Sequence, residues 1–248
     1  MKIALIGYGR MGKEIESIAM HRGHTLIRID PNSQEAQFKS ISKESLDGVD
    51  VAIEFTHPSA VIQNIEQASA MGVNMVVGTT GWYDQMDKVS GIISKSDTGL
   101  IWSGNFSLGV NFFTRIVEHA ASLIDGIDGY DISISESHHA KKADSPSGTA
   151  LMLGKSILKQ MTRKDAIVTE RLDRQISPNE LHISSTRCGL IPGIHRVTID
   201  SAADSIELTH TARTRQGFAL GAVLAAEFIA GKKGVYSIDD LMNEVVGG

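Results

Sequence analysis

Residues 2–12 read "KIALIGYGRMG", and this stretch decides the fold. Its first half is a short, continuous apolar run, which is typical of a strand that is buried on both faces of a sheet. Glycines follow at once, at positions 7, 9 and 12, and apolar residues then recur at helical spacing as far as Gly23. The pattern predicts a strand, a tight turn and a helix, which is how a doubly wound parallel sheet begins.

The same glycine turn, in the pattern G-x-G-x-x-G, predicts a dinucleotide site. Gly7 permits the tight turn, Gly9 lets a pyrophosphate approach the backbone, and Gly12 lets the helix pack close to the sheet. The phosphates would lie at the helix N-terminus, where N–H groups and the helix dipole favour anions. The predicted cofactor contacts in this segment are Gly7, Tyr8, Gly9, Arg10, Met11 and Gly12.

Asp30 ends the second predicted strand, "HTLIRID", and is a further predicted cofactor contact. A carboxylate at this position accepts hydrogen bonds from the two ribose hydroxyls and repels a 2′-phosphate. Pro31 follows it, where an arginine could have bound that phosphate. The cofactor is therefore predicted to be NADH or NADPH with NADH favoured, and Arg10 keeps NADPH possible.

Strand and helix patterns alternate through the first half of the chain, with further strands at "VDVAIEFT", "VNMVVG" and "LIWS". After about residue 107 the pattern changes to strands with one polar face, such as "YDISISES" and "ELHISSTR". The fold class is therefore α/β: a Rossmann-type parallel sheet followed by an α+β domain with a mixed or antiparallel sheet. We predict a dinucleotide-binding domain of residues 1–106, completed by C-terminal helices over 216–248, and a second domain of residues 107–215.

Composition restricts the partners of this chain. Its 248 residues carry a net charge of -5, with 42% hydrophobic and 21% charged residues, as in ordinary soluble globular proteins. The acidic balance argues against nucleic acid as a partner. The first apolar run is too short for a signal peptide or a membrane span, and the single cysteine, Cys188, suits a reducing compartment. A cytoplasmic location without membrane contact is expected.

A second motif, "SESHHAKKADSPSGTA", covers residues 135–150 and is unusually polar. A lysine is a point charge suited to a carboxylate, and a histidine changes protonation near neutral pH. "SPSGT" opens a helix, so that the N–H groups of Gly148 and Thr149 could bind a second carboxylate. The motif predicts an anion site with a proton donor.

This motif has three other interpretations. A solvated loop could carry "HHAKK" without any function. A metal site at His138 and His139 is disfavoured, because adjacent residues rarely point at one ion and no cluster at ligand spacing completes the set. Ser147 lacks the G-x-S-x-G or S-x-x-K context of a nucleophile. No metal is predicted.

Four motifs together resemble 4-hydroxy-tetrahydrodipicolinate reductase, long called dihydrodipicolinate reductase. They are "GRMG" after the first strand, "VGTTGW" at 77–82, "GNFSLGVN" at 104–111 and "ESHHAKKADSPSGTA" at 136–150. The resemblance covers essentially the whole chain, and the last motif is its most specific part. It implies NAD(P)H-dependent reduction of 4-hydroxy-tetrahydrodipicolinate to tetrahydrodipicolinate in the diaminopimelate route to lysine.

The resemblance also implies roles for individual residues. His138 would be the proton donor, Lys142 would assist it and bind substrate, and His139 with the Gly148 and Thr149 amides would hold carboxylate oxygens. The residues implied to line the nicotinamide side of the cofactor cleft are Gly78, Thr79, Thr80, Ser103, Gly104, Asn105 and Phe106. A small dicarboxylate substrate and a homotetramer built through the 107–215 domain follow from the same resemblance.

This chain departs from the family in its first glycine loop, which is one residue shorter than in many members, and at Ser145, where alanine is common. Two other functions compete with this one. One is another two-domain dehydrogenase of amino-acid metabolism, whose aspartate-semialdehyde type needs a catalytic cysteine that Cys188 does not match in position. The other is a nucleotide sensor without catalysis, against which the intact pair of His138 and Lys142 argues.

Overall fold

A computed structural model describes residues 1–246. The strands in this range are β1 (Lys2–Ile6), β2 (Thr25–Ile29), β3 (Val51–Glu54), β4 (Asn74–Val77), β5 (Gly99–Trp102), β6 (Asp131–His138), β7 (Ala166–Val168), β8 (Glu180–Arg187), β9 (Ile194–Asp200), β10 (Ser205–Thr211) and β11 (Gly234–Ser237). The helices are α1 (Arg10–His21), α2 (Pro58–Ala70), α3 (Met86–Ser96), α4 (Leu108–Ile124), α5 (Gly148–Gln160), α6 (Gln216–Ile229) and α7 (Ile238–Val246), with a short 3₁₀ helix at Tyr83–Gln85. The described chain divides into one unit of Met1–Leu108 with the segment from Arg215 onward, and a second unit of Gly109–Thr214.

The first unit is built on a parallel sheet of six strands in the order β11-β5-β4-β3-β1-β2. Alternate side chains of β1 enter opposite layers: Ile3 and Leu5 pack in the layer of α1 and α6, and Ala4 and Ile6 in the layer of α2 and α3. Burial on both faces explains why these strands read as continuous apolar runs. The predicted Rossmann-type fold is confirmed.

The C-terminal segment contains more than the predicted helices. A strand, β11, lies between α6 and α7 and pairs in parallel with β5 at the edge of the first sheet. The α6 helix is apolar nearly all round, and Ala219, Ala222 and Val223 are fully buried in the core of the first unit. Positions 247 and 248 of the predicted helical segment lie outside the described residues.

The connection from β2 to β3 also differs from the alternating pattern. Residues 30–50 form turns instead of a helix, and Phe38 makes a single parallel bridge to Ile29. Phe38 and Leu46 cover the same apolar layer as α2. This irregular segment therefore closes the layer that a crossover helix would otherwise close.

The second unit has a mixed sheet in the order β10-β9-β6-β8-β7. The strand β6 is parallel to β8 and antiparallel to β9. Ile132 and Ile134 point into a core formed with α4 and α5, while Ser133 and Ser135, which alternate with them, are exposed on the other face. The predicted α+β class of this unit is confirmed. Within residues 1–246, no helix is both long and apolar enough to cross a membrane.

Candidate active site

A cavity of about 340 Å³ lies in the first unit at the carboxyl ends of β1, β3 and β4. It is lined by Gly9, Arg10, Met11, Gly12, Phe55, Thr56, Pro58, Gly78, Thr79 and Thr80. The chain leaves β1 towards β2 on one side and later returns to β3 on the other side. Such a reversal of strand order opens a crevice where α/β proteins bind ligands.

The glycine turn shapes one wall of this cavity. Gly7 has φ +94°, and a β-carbon there would lie 2.2 Å from the carbonyl oxygen of Phe55. By contrast, a β-carbon at Gly9 would have no atom of the chain within 4 Å. The α1 helix begins after Gly9 without a side-chain cap, so its first N–H groups are not covered by a side chain there. The open space and the positive end of α1 fit the pyrophosphate of a dinucleotide.

The opposite wall is held by a network of hydroxyl groups at the ends of β3 and β4. The Thr56 N–H donates to Thr79 Oγ1 at 2.7 Å, and the Thr56 hydroxyl donates to the carboxyl group of Glu54. Glu54 is fully buried, and this burial raises its pKa. The Trp82 indole N–H donates to the Thr79 carbonyl oxygen at 2.7 Å. These bonds fix Thr56 and Thr79 where they face the cavity.

Seven of the predicted cofactor contacts line the cavity, namely Gly9, Arg10, Met11, Gly12, Gly78, Thr79 and Thr80. Packing also requires a glycine at position 78, because a β-carbon there would lie 2.1 Å from the ring of Phe55. The other seven are placed outside the lining: Gly7, Tyr8, Asp30, Ser103, Gly104, Asn105 and Phe106. Phe106 is a core residue with only 2% of its surface exposed, and its ring centroid lies 6.3 Å from that of Phe55.

Asp30 directly follows β2, and backbone groups already engage its carboxylate. Oδ2 accepts the Tyr8 N–H at 2.7 Å, while Oδ1 accepts the N–H groups of Asn32 at 2.7 Å and Ser33 at 3.0 Å. Burial pushes the pKa of Asp30 upward, but these three N–H donors outweigh it and hold the pKa below its usual value. The predicted ribose ligand is thus an ionised group that also fastens the glycine turn to β2.

In the second unit, His138 ends β6 and is almost fully buried. Its Nδ1 contacts the carboxylate of Glu136, and Arg187 Nη2 donates to the other oxygen of that carboxylate at 2.8 Å. Burial pushes the pKa of Glu136 upward, but the hydrogen bonds from Arg187 and His138 hold it below its usual value. A β-carbon at Gly193 would lie 3.0 Å from His138 Nε2, so the absence of a side chain there leaves this nitrogen accessible.

A second buried histidine stands beside the first. The ring centroids of His138 and His195 are 5.2 Å apart, and His195 Nε2 lies 3.1 Å from Ser147 Oγ. Burial and the neighbouring His138 lower the pKa of His195 to about 4, so this ring is neutral at pH 7. Ser147 also caps α5, because its Oγ accepts the Ala150 N–H at 3.2 Å. Within residues 1–246, no group of three or more His, Cys, Asp or Glu residues could hold a metal ion.

The loop between β6 and α5 carries the remaining predicted substrate residues. Lys142 Nζ lies 2.8 Å from Asp144 Oδ1, and the pKa of Asp144 is lowered first by Lys142 and also by the backbone N–H of Gly148. His139 opens the turn that leads to Lys142, and Thr149 follows Gly148 in the first turn of α5. The Asp144 carboxylate thus contacts the lysine and the helix N-terminus that were predicted to bind substrate carboxylates.

Sequence reasoning gave no role to several of these residues. Glu136 had a usable signal, because residues two apart on a strand share a face and Glu136 therefore accompanies His138. Arg187 had none, since its place beside His138 depends on the parallel register of β6 with β8. The same holds for His195, which is the cross-strand partner of Glu136 on β9.

The first unit has a glycine turn at the switch point of its parallel sheet and a helix N-terminus that is open to a cavity. The second unit carries a buried acid–base pair. Together these features are typical of a dinucleotide-dependent oxidoreductase. The family comparisons specify this class further. The family model described as the N-terminus of dihydrodipicolinate reductase matches residues 1–106, and the model of its C-terminus matches residues 109–242.

Individual proteins agree with the family models. The chain is 39% identical to the 4-hydroxy-tetrahydrodipicolinate reductase of Christiangramia forsetii, over 99% of both chains. It is 36% identical to the enzyme of the same name from Archaeoglobus fulgidus, over 98% of this chain and all of the other. Among solved structures, a dipicolinate-bound dihydrodipicolinate reductase from Paenisporosarcina has the same fold, with a TM-score of 0.79 and 22% identity over 96% of this chain and 97% of that one.

The chain therefore belongs to the dihydrodipicolinate reductase family. The family carries out the NAD(P)H-dependent reduction step of the diaminopimelate route to lysine. The family, the fold class and the reaction class predicted from the sequence are thereby confirmed, and the rival assignment to another family of dehydrogenases is set aside.

Proposed function

We propose that this chain reduces 4-hydroxy-tetrahydrodipicolinate to tetrahydrodipicolinate with NAD(P)H, and that His138 is the proton donor. One observation carries the assignment of the residue: His138 is buried, a carboxylate engages one of its ring nitrogens, and its other nitrogen faces the glycine at 193. A histidine held in this way suits general acid catalysis near neutral pH.

The glycine turn and the hydroxyl wall would hold the cofactor, with Gly9 to Gly12 at the pyrophosphate and Thr79 and Thr80 towards the nicotinamide. When bound, the nicotinamide supplies a hydride to the substrate. NADH is proposed over NADPH, since the ionised Asp30 at the end of β2 would repel a 2′-phosphate. Arg10 at the start of α1 is the cation that would let NADPH bind as well.

The substrate is proposed to be a small dicarboxylate that binds at the loop between β6 and α5. Lys142 would pair with one carboxylate, and His139 with the amides of Gly148 and Thr149 would hold the other. Each buried carboxylate needs such donors, because an unpaired buried charge costs several kcal/mol. The Paenisporosarcina reductase was solved with dipicolinate bound, which makes this planar dicarboxylate the natural probe.

The proton step follows from the hydride step. Addition of a hydride to a conjugated ring leaves an electron pair and negative charge on a neighbouring atom of the ring, and that atom must take up a proton. His138 would give the proton from Nε2 and would recover it from solvent before the next turnover. The chain would hold the substrate and the cofactor in a fixed relative orientation, which lowers the entropic part of the activation barrier.

The decisive assay follows NADH oxidation with and without the product of dihydrodipicolinate synthase. Turnover that depends on this product is expected for the wild type, and His138→Gln should lower kcat by about two to four orders of magnitude with the Kd for NADH unchanged. A wild-type chain that binds NADH without oxidising it would instead be a nucleotide sensor. A His138→Gln variant with nearly normal kcat would remove His138 from the chemistry.

Adjacent lysines offer a matched control for the substrate site. Lys142→Ala should raise KM and lower kcat together, because its charge both binds the substrate and orients the ring. Lys141 is exposed, so Lys141→Ala should change little. Pyridine-2,6-dicarboxylate should compete with substrate in the wild type and lose most of its affinity for Lys142→Ala alone. The reverse result for the two lysines would show that Lys141, and not Lys142, binds the substrate carboxylate.

Assembly and location complete the proposal. A homotetramer would form through the second unit, whose sheet leaves one face uncovered at residues such as Ser133, Ser135 and Arg196. Sedimentation of the purified chain tests this, and a monomer at assay concentration would contradict it. A cytoplasmic location is proposed from the exposed free thiol of Cys188, which suits a reducing compartment.

A further inference from the structure

We infer that Glu136 and Arg187 act together as positioning residues for His138, holding a ring proton on Nδ1 so that Nε2 is the nitrogen that exchanges a proton with the substrate. This inference rests on the proposed function. It adds two residues, on two strands, whose work is to orient the proton donor and to favour its charged form.

The geometry of the three side chains supports this assignment. Glu136 has only 2% of its surface exposed, and its two carboxylate oxygens are divided between different partners. Oε2 contacts His138 Nδ1, while Oε1 accepts from Arg187 Nη2 at 2.8 Å and from the Ser147 N–H at 3.2 Å. Because an ionised carboxylate only accepts hydrogen bonds, the contact with Oε2 requires a proton on Nδ1. The neutral ring then presents the bare Nε2 towards Gly193.

Among the charged groups around the His138 ring, Glu136 supplies the negative charge that stabilises the protonated ring. Glu136 and His195 contact the His138 ring, and Arg187 lies opposite it on β8. Lys142 and His210 are charged or titratable neighbours of His195, the second ring of this pair. His195 is neutral at pH 7, and the lysine and arginine both disfavour a second positive charge. The carboxylate of Glu136 is therefore the group in this set that stabilises the imidazolium form, which is the form that can donate a proton.

Arg187 links the same carboxylate to the substrate loop. Its Nη2 also donates to the carbonyl oxygen of Asp144 at 2.6 Å, and its Nη1 donates to the carbonyl oxygen of Thr186 at 2.9 Å. Glu136 in turn accepts the N–H of Ser147, the cap of α5. The segment from Asp144 to Ser147, which precedes α5, is thus bound at one end by Arg187 and at the other by Glu136. These bonds fix the position of the predicted anion site relative to His138.

The first test is the pH profile of Glu136→Gln, which keeps the shape of the side chain and removes its charge. We expect kcat to fall about 10- to 100-fold, less than for loss of the acid itself, with KM for the substrate changed by less than about threefold. The alkaline limb of the kcat profile should move to lower pH by about one unit or more, because the charged ring loses its carboxylate partner. Glu207→Gln removes a carboxylate from the exposed strand β10 and should leave both rate and profile unchanged.

Glu136→Asp provides the conservative counterpart and does not introduce a buried amide beside Arg187. It keeps the charge, so its alkaline limb should stay near that of the wild type even where its kcat is reduced. A purely structural role would lower kcat or raise KM in both variants without moving the limb in Glu136→Gln alone. An unmoved limb in a folded, active Glu136→Gln enzyme would overturn the inference.

The tautomer can be read in the wild-type protein without any turnover. Long-range ¹H–¹⁵N NMR spectra of the ring should show Nδ1 protonated in the neutral form of His138, because the hydrogen bond of one ring nitrogen fixes the state of the other. A neutral ring protonated at Nε2 would refute the inference even if the enzyme is active. Failure of the proposed function is recognised separately, as absence of turnover in the wild type with this NMR signature intact.

Discussion

Alanine substitutions in the first glycine turn should separate folding from cofactor binding. At Gly7, with φ +94°, an alanine would carry its β-carbon 2.2 Å from the Phe55 carbonyl oxygen. The left-handed backbone costs a residue other than glycine about 1–3 kcal/mol, and overlap with a fixed carbonyl adds about 1–3 kcal/mol. Gly7→Ala should therefore lower the free energy of unfolding by about 2–6 kcal/mol, which corresponds to a fall of about 4–24 °C in Tm at about 2–4 °C per kcal/mol.

Gly9→Ala should leave the stability almost unchanged and weaken cofactor binding. Its backbone, at φ -88° and ψ -153°, is open to any residue, and its β-carbon would have no atom of the chain within 4 Å. Alanine is a poorer helix cap than glycine, but it also reduces the entropy of the unfolded chain, so Tm should shift by less than about 3 °C. The β-carbon would instead crowd a pyrophosphate at the start of α1. A penalty of about 1–3 kcal/mol raises the Kd for NADH about 5- to 150-fold.

Thermal unfolding and NADH titration by fluorescence measure the two effects on the same samples. Gly91→Ala is the matched control, because this glycine lies inside α3 and an added β-carbon has nothing within 4 Å there. It should bind NADH normally and gain about 0.5–1 kcal/mol of stability. A Gly9→Ala variant that bound NADH as tightly as the wild type, or that unfolded as early as Gly7→Ala, would contradict the separation of folding from cofactor binding.

Three further predictions concern buried and partly buried ionisable groups. Asp30→Asn should weaken NADH by about 1–3 kcal/mol, through the lost charge-assisted hydrogen bonds to the ribose, and NADPH by less, because repulsion of its phosphate is relieved. His195 has a pKa of about 4 in the folded chain and about 6.5 when unfolded, so the stability due to its neutral form is full above pH 6.5 and is lost as the pH falls to 4. The loss is at most about 3 kcal/mol, and His195→Gln should show no such slope. Burial raises the pKa of Glu54, so the wild type loses stability as the pH rises above about 4.5. Glu54→Gln should therefore be more stable relative to the wild type at pH 7 than at pH 4.

Direct measurements decide these three cases. Equal loss of affinity for both nucleotides in Asp30→Asn would place the ribose elsewhere. Urea unfolding between pH 4 and pH 7 tests the two buried groups. A His195→Gln variant with the wild-type slope below pH 6.5 would contradict the stability attributed to the neutral ring. For Glu54→Gln, a difference from the wild type that does not change with pH would show that folding does not raise the pKa of the Glu54 carboxyl group.

The parts of the fold that were predicted from the sequence share a physical cause. Parallel strands buried on both faces are apolar over most of their length, so the apolar runs in "KIALI" and "VAIE" mark strands without any knowledge of their neighbours. The turn after β1 needs a glycine at position 7 because of its positive φ, and that requirement is visible in the sequence too. The motif at 136–150 is read in the same way, since its charges and its helix cap are local features.

The strand β11 is an element that local sequence patterns do not predict. Its four residues, "GVYS", carry no clear alternation and lie between two helices, and they become a strand because β5 offers a free edge. Likewise, nothing local distinguishes Phe106 as a core residue, because its burial depends on α6, where a β-carbon at Gly221 would lie 1.8 Å from the Phe106 carbonyl oxygen. Edge pairing and close packing are properties of segments that are far apart in the chain.

The same division holds within the active site. Sequence patterns by themselves determined the glycine turn, the buried strands beside it and the presence of histidine, lysine and a helix N-terminus in one short motif, because each depends on neighbours within a few residues. Only the tertiary structure decided that Arg187 and His195 would meet Glu136 and His138, since those contacts depend on the register of β6 with β8 and β9. A shift of one residue in that register would turn Arg187 and His195 to the opposite face of the sheet, whereas Glu136 would stay beside His138 because both lie on β6.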